Sequence, residues 1–143
     1  MSRVLIDTNI WVDIVLNRPN HVAESKCAVM ACFDQGDEVL VPATSLKDIF
    51  YFAAKSAGAD AGYAAVGLVL EIATIVQVDE LVCRNALSLE RPDYEDGIVS
   101  ACALAEQASA IVTRDAASFN DLPIPKYSPA EFLAVRGYEP VSV

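Results

Sequence analysis

The fold is decided by the stretch Val4-Leu5-Ile6-Asp7-Thr8-Asn9-Ile10-Trp11. Its first three residues are branched and apolar, as is typical of a fully buried β-strand, and the Asp, Thr and Asn that follow are typical of a helix start. A carboxylate placed just past a strand end lies where open α/β sheets bind their ligands. We therefore interpret Asp7 as one member of an acidic site, although an isolated Asp at such a turn is more often an N-cap that accepts backbone N–H bonds.

Outward from this stretch, short apolar segments alternate with amphipathic ones. The patterns predict further strands at 39–41, 74–78, 110–113 and 124–127. They predict helices at 7–16, 23–36, 45–58, 60–73, 79–91 and 93–105, a short helical turn up to 119 and a last helix from 128. Such alternation predicts an α/β fold with a central, mainly parallel sheet and helices on both faces. A length of 143 residues is typical of one domain, so we expect a single domain over 1–143.

The composition excludes some classes of protein. A formal net charge of −10 argues against a basic surface that grips nucleic acid by its phosphates. It does not exclude an enzyme that binds phosphate through metal ions, since a bound cation reverses the local field. The hydrophobic share of 54% suggests apolar surface for an oligomer or partner interface. The longest charge-free run, 61–70, is about half a membrane span, so we expect a cytoplasmic protein without a membrane partner.

The cysteines and the histidine do not indicate a catalytic or zinc site. Cys27, Cys32, Cys83 and Cys102 lack a CxxC spacing and lie in apolar helical contexts, which predicts buried free thiols. The single histidine, His21, follows a turn and is expected at the surface. The chain also contains no P-loop, GxGxxG or GxSxG motif.

Four aspartates are expected to converge. Asp7 and Asp115 come directly off strands, and right-handed crossovers place both at the carboxyl edge of a parallel sheet. Asp48 and Asp96 are expected in first helical turns, which point toward that edge. Each one alone can be explained as a helix cap or as a complement to a helix dipole, Asp48 for instance through a capping box with Ser45.

Four carboxylates at one place require a cation. Two unneutralised charges about 4 Å apart repel by about 4 kcal/mol at an effective dielectric of 20. Oxygen ligands suit Mg²⁺ or Mn²⁺ better than zinc. Such ions can activate water and stabilise the leaving oxygen of a phosphodiester. The pattern therefore predicts metal-assisted phosphodiester hydrolysis.

The chain resembles PIN-domain proteins of the kind found as VapC-type toxins of type II toxin–antitoxin pairs. The resemblance is carried by the segments LIDTNIW at 5–11, SLKD at 45–48, PDYEDGIVSACALAEQASAIVTRDAASF at 92–119 and IPKYSPAEFL at 124–133. It implies a three-layer α/β/α sandwich and a metal-dependent endoribonuclease that uses Mg²⁺ or Mn²⁺ on an RNA substrate. It also implies a homodimer and a small antitoxin protein that blocks the cleft with a basic side chain.

The resemblance also implies roles for particular residues. The catalytic acids fall on four positions, Asp7, Asp48, Asp96 and Asp115. The first, third and fourth of these are the implied metal ligands, and the second holds a metal or a water bound to it. Supporting roles fall on three further residues, Asn9, Asp93 and Thr113. There are two departures from the family pattern: the second acid is often Glu in the family, and Ser118 stands where many relatives carry another acid.

The sequence does not decide which residues would contact RNA, and it allows two alternative functions. Arg114 and Arg18 are the candidates for binding the RNA backbone, and Tyr94 and Trp11 for stacking on a base, although surface or packing roles are the simpler interpretation of each. One alternative is a metal- or RNA-binding module without turnover. Another is a Mg²⁺-dependent small-molecule phosphatase, for which the second Asp expected two residues after Asp7 is missing.

Overall fold

The computed structural model describes residues 2–91 and 93–139. Its strands are β1 (Arg3–Ile6), β2 (Glu38–Pro42), β3 (Thr74–Val76), β4 (Ala110–Val112) and β5 (Lys126–Tyr127). They form one sheet in the order β3-β2-β1-β4-β5. Every pairing in this sheet is parallel, as predicted.

Seven α-helices lie in the described part of the chain, and each corresponds to a predicted helical segment. They are α1 (Thr8–Val15), α2 (Val22–Asp34), α3 (Ala43–Ala57), α4 (Ala59–Ile72), α5 (Glu80–Ser88), α6 (Tyr94–Ala105) and α7 (Pro129–Arg136). A short 3₁₀ turn, Ala116–Phe119, follows β4. None of these helices is long and apolar enough to cross a membrane.

The sheet separates two apolar cores because successive side chains of a strand point to opposite faces. Val4 and Ile6 of β1 pack with residues of α1, α2, α3, α4 and α7. Leu5, between them, packs on the other face with residues of α5, α6 and the 3₁₀ turn. The predicted three-layer α/β/α sandwich is therefore confirmed.

Several predicted helix ends are also confirmed. The Asp79 carboxylate accepts a bond from the Val82 N–H at 3.0 Å and begins α5. Ser128 and Glu131 form the predicted capping box of α7. Close packing of the glycine-bearing α4 is seen at Gly62, where a Cβ atom would lie 2.8 Å from the Phe50 ring.

Other element bounds differ from the prediction. Helix α3 begins at Ala43 instead of Ser45, because Pro42, at φ −60° and ψ 140°, already serves as its N-cap. Helix α5 ends at Ser88, since Glu90 adopts a left-handed conformation with φ +50°. Pro92, which was expected to stop this helix, lies outside the described residues.

The cysteines are free, as predicted, but only two of them are buried. Cys32 and Cys102 are buried, whereas Cys27 and Cys83 are half-buried. The expectation of four buried thiols is therefore wrong for two positions.

The strand order sets the place of a binding site. After β1 the chain moves to β2 on one side, and it later returns to β4 on the other side of β1. In open α/β sheets a crevice forms at such a point, outside the carboxyl ends of the central strands. The residues that follow β1 and β4 are thus brought together.

Candidate active site

A cavity of about 430 Å³ opens beyond the ends of β1 and β4. Six carboxylates line it: Asp7, Asp48, Asp93, Glu95, Asp96 and Asp115. The other lining residues are Thr8, Asn9, Tyr51 and Phe52. The structure thus brings the four predicted aspartates to one cavity, which we call the acidic cleft.

Asp7 is held at the floor of the acidic cleft by two short hydrogen bonds. It is the N-cap of α1, and its Oδ1 accepts a bond from the Thr8 N–H at 2.8 Å. Its Oδ2 accepts a bond from the Thr113 hydroxyl, also at 2.8 Å. Only 6% of the residue is exposed, and this burial raises the pKa of its carboxyl group against the effect of both bonds.

The Thr113 hydroxyl connects the first and fourth aspartates. It donates to Asp7 and accepts a bond from the Asp115 N–H at 3.0 Å. Thr113 is fully buried just after β4. Both of its hydroxyl contacts therefore fix the segment that carries Asp115 relative to the end of β1.

Asp115 is the N-cap residue of the 3₁₀ turn, but its carboxylate does not cap the turn. Its side chain makes no capping bond to the 3₁₀ turn that follows it, and Oδ2 instead accepts a 2.5 Å bond from the Ser118 hydroxyl. Burial raises the pKa of Asp96, and the nearby Ser118 partly opposes this rise. The Ser118 hydroxyl therefore orients the carboxylate of the fourth aspartate.

Asp96 lies in the third position of α6, as predicted from an N-cap at Asp93. The Asp93 carboxylate accepts a bond from the Glu95 N–H at 2.9 Å. Burial, and then the charges of Asp93 and Asp7, raise the pKa of Asp96. The acidic start of α6 therefore carries negative charge into the cleft.

Asp48 lies in the second turn of α3, so its predicted place in the first turn is wrong. The capping box with Ser45 is absent, because α3 begins two residues earlier and the Ser45 hydroxyl instead lies 2.7 Å from the Thr8 hydroxyl. Asp48 forms an ion pair with Lys47 at 2.9 Å. Its carboxylate nevertheless lines the acidic cleft.

Glu95 is a cleft residue that the sequence analysis missed. Desolvation, a hydrogen bond shared with Asp48 and the charge of Asp48 raise the pKa of Glu95 to about 7. The only signal for it was its place in the acidic run 93–96, where the adjacent Asp93 and Asp96 were favoured.

The raised pKa of Glu95 predicts that the metal-free protein loses stability as the pH rises from about 4.5 to about 7. In this range the folded state holds a proton that the unfolded chain has released, so a higher pH favours unfolding. The melting temperature in EDTA should fall across this window, and Glu95→Gln should reduce the fall. Glu71→Gln, on the exposed side of α4, is the control; equal profiles for both variants would contradict the prediction.

Asn9 is exposed and lines the acidic cleft. It was expected to support Asp7, but the oxygens of Asp7 bond to Thr8 and Thr113. The structure therefore places Asn9 beside the site without a bond to the first aspartate among the described residues.

The two arginines expected at the RNA backbone are instead bound to one buried carboxylate. Asp13 in α1 is fully buried. Arg114 contacts it in a bidentate manner, with Nε at 2.8 Å and Nη2 at 3.0 Å. Arg18 and Ser25 each donate to it at 3.2 Å. An acid inside the apolar helix 8–15 was the only sequence signal for this network.

The two aromatic candidates for stacking on a base have packing roles instead. Trp11 is only 2% exposed and belongs to the apolar core, as its simpler interpretation had it, so it cannot stack on a base. Tyr94 is 46% exposed, but its hydroxyl donates to the Cys83 carbonyl oxygen at 2.8 Å. Tyr94 is therefore held against α5, and it is not among the residues that line the cleft.

The donor set of the cleft fits a hard divalent cation. The described lining residues offer carboxylate, amide and hydroxyl oxygens and include no Lys, Arg or His. The raised pKa values of Asp7, Asp96 and Glu95 show that burial and mutual repulsion disfavour their charged forms. Among the described residues, no three His, Cys, Asp or Glu side chains already stand as a ready-made ligand group.

Comparisons with known structures agree on the fold. A chain of VapBC2 from Rickettsia felis, bound to a promoter DNA fragment, matches with a TM-score of 0.66 at 16% identity over 88% of this chain and 97% of that one. VapC20 from Mycobacterium tuberculosis, a sarcin-ricin loop cleaving toxin, matches with a TM-score of 0.67 at 14% identity over 82% and 93%. FitAcB from Neisseria gonorrhoeae matches with a TM-score of 0.65 at 19% identity over 89% and 98%.

Comparisons of sequence identify the family. No curated protein sequence matches. A sequence model for the PIN domain matches residues 3–117, which include β1, β4 and the four aspartates of the cleft. The chain therefore belongs to the PIN domain family.

Proposed function

We propose that this protein is a metal-dependent endoribonuclease that hydrolyses RNA phosphodiester bonds with Mg²⁺ or Mn²⁺. The observation that carries the proposal is the convergence of Asp7, Asp48, Asp96 and Asp115 on one cavity whose described lining contains no positive side chain. Carboxylates at a sheet edge without a compensating charge are suited to hold divalent cations, and such cations bind phosphate.

We assign the metal to Asp7, Asp96 and Asp115, with Asp48 as the fourth catalytic acid. When bound, the divalent ion supplies Lewis acidity toward the phosphate and lowers the pKa of water. The chain's own contribution is positional. The Thr113 hydroxyl orients Asp7 and the backbone of Asp115, and the Ser118 hydroxyl orients the Asp115 carboxylate.

We further propose that the protein is the toxin of a toxin–antitoxin pair. The support is similarity in fold to VapBC structures and to a toxin described as cleaving the sarcin-ricin loop. A small antitoxin would then block the acidic cleft with a basic side chain, and the active protein would be a homodimer. Arg114 and Arg18 are not proposed as substrate ligands, because Asp13 already binds both.

The test is cleavage of a panel of structured and unstructured RNAs, with Mn²⁺ and with EDTA, by the wild type and Asp96→Asn. We expect the wild type to cut RNA only when the metal is present, and we expect Asp96→Asn not to cut. Any cutting that remains in the variant would reveal a contaminating nuclease. Because metals carry the phosphate binding, activity should respond steeply to EDTA and only modestly to NaCl. Equal cutting by both proteins would contradict the proposal, and Mn²⁺ binding without any cutting would favour a binding module.

A further inference from the structure

Two aromatic side chains of α3 share the acidic cleft with the carboxylates. Tyr51 and Phe52 line the cavity, and they are 55% and 37% exposed. Their rings form an edge-to-face pair, with centroids 5.3 Å apart and planes at 77°. In such a pair only one ring presents its face to the other, so aromatic surface remains free beside the catalytic acids.

Positive charge flanks the tyrosine on the same helix. Lys47, Tyr51 and Lys55 are spaced four residues apart in α3, so they form a continuous stripe along one side of it. The Lys55 ammonium lies 5.8 Å from the centre of the Tyr51 ring. The Lys47 side chain is 74% exposed and contacts Asp48 at the cleft.

This arrangement is unlike the rest of the cleft. The catalytic carboxylates repel a polyanion, whereas the α3 stripe offers a ring between two ammonium groups. A ligand that matches it has a flat aromatic part and a phosphate on each side. An unpaired nucleotide within a strand has both features, because its base is free to stack and its backbone carries the charges.

We propose that Tyr51 and Phe52 form a stacking platform for an unpaired base of RNA next to the scissile phosphate, with Lys47 and Lys55 beside the backbone. This inference rests on the proposed nuclease function and assigns the contact with one base beside the catalytic acids to two residues of α3. In a duplex the bases are already stacked and paired, so the platform would have nothing to bind. Stacking of one base on an aromatic ring strengthens binding by roughly 5- to 150-fold.

The platform can be tested by binding, apart from catalysis. Fluorescence anisotropy would follow binding of short, unstructured, fluorescein-labelled RNA oligonucleotides by Asp7→Asn protein, which prevents cutting. We expect a second substitution, Tyr51→Ala, to raise Kd about tenfold, while Tyr51→Trp stays close to the parent because indole also stacks. Tyr63→Ala is the matched control: Tyr63 is 70% exposed on α4 and is not among the cleft residues.

Abasic substrates make the test specific. A series of oligonucleotides, each lacking the base at one position, should be compared. For the parent protein, one of these positions should show weaker binding when its base is absent. This loss of affinity should disappear in Tyr51→Ala. An unchanged abasic profile in Tyr51→Ala, or equal effects of Tyr51→Ala and Tyr63→Ala, would overturn the platform. A change of oligomeric state in Tyr51→Ala with RNA binding unaltered would also overturn it and would assign the rings to a contact between copies.

Failure of the platform and failure of the nuclease proposal give different results. If the wild type cuts RNA with Mn²⁺ and Tyr51→Ala has the same KM, only the platform is wrong. If the wild type neither binds nor cuts any RNA of the panel, the nuclease proposal and the platform fall together. A rise of KM in Tyr51→Ala with kcat retained supports both.

Discussion

Asp7→Asn is expected to abolish RNA cleavage while leaving the metal-free protein at least as stable as the wild type. Loss of a ligand removes several kcal/mol of transition-state stabilisation, which corresponds to a rate loss of about a thousandfold or more. Stability behaves differently because the Asp7 carboxylate is almost fully buried and its charged form is disfavoured there. A neutral side chain of the same shape removes that cost and can still cap α1.

The measurements are thermal unfolding in EDTA and initial cleavage rates in Mn²⁺. Asp79→Asn is the matched control, since Asp79 is also an N-cap that accepts a backbone N–H but does not line the cleft. Both variants should remain folded, and only Asp7→Asn should lose activity. Retained cleavage in Asp7→Asn would show that Asp7 serves only as a helix cap and would contradict the proposed active site.

Arg114→Ala is expected to lower the free energy of unfolding by about 3 kcal/mol. Its bidentate contact is the shortest of those that neutralise Asp13, which is fully buried. Removing one partner of a buried ion pair costs roughly 3–5 kcal/mol, because an uncompensated charge remains. We expect the lower limit of this range for Arg114→Ala, since Arg18 and Ser25 still contact the Asp13 carboxylate.

Denaturant titration of a graded set of variants tests this network. Arg18→Ala should cost about 1 kcal/mol, as for a pair with one solvated partner, since Arg18 makes a single longer contact from a side chain that is 36% exposed. Arg114→Lys should fall between the wild type and Arg114→Ala, because an ammonium group cannot reproduce the bidentate contact. An unchanged stability of Arg114→Ala together with weaker RNA binding would restore Arg114 as a substrate ligand.

Much of the fold could be predicted because local patterns and tertiary structure agree. The strand signal at 4–6 and the caps at Asp79 and Ser128 depend on neighbours in sequence, and all three are confirmed. The convergence of Asp7 and Asp115 follows from a parallel sheet, whose strand ends share one edge. The start of α3 was misplaced because Ser45 is a common cap residue, while Pro42 fixed the helix start before it.

The errors at the site arise from partners that are distant in sequence. Arg114 was a candidate for binding RNA, or else a solvated surface residue, because its partner Asp13 lies 101 positions away. Glu95 was missed because its neighbour Asp48 belongs to a different helix. Trp11 was a candidate for stacking until the packing of α1 showed that its face is in the core. Charge pairing and burial of this kind depend on three-dimensional proximity, which a single sequence does not display.

The side chains of three consecutive residues after β4 lie in three different parts of the structure. Thr113 donates a hydrogen bond to Asp7, Arg114 donates to Asp13, and Asp115 lines the acidic cleft. Inserting or deleting one residue here would exchange these directions, so that an acid would meet Asp13 or an arginine would enter the cleft. The length of this segment is therefore as constrained as its composition, and circular permutation or loop grafting in this protein must leave it intact.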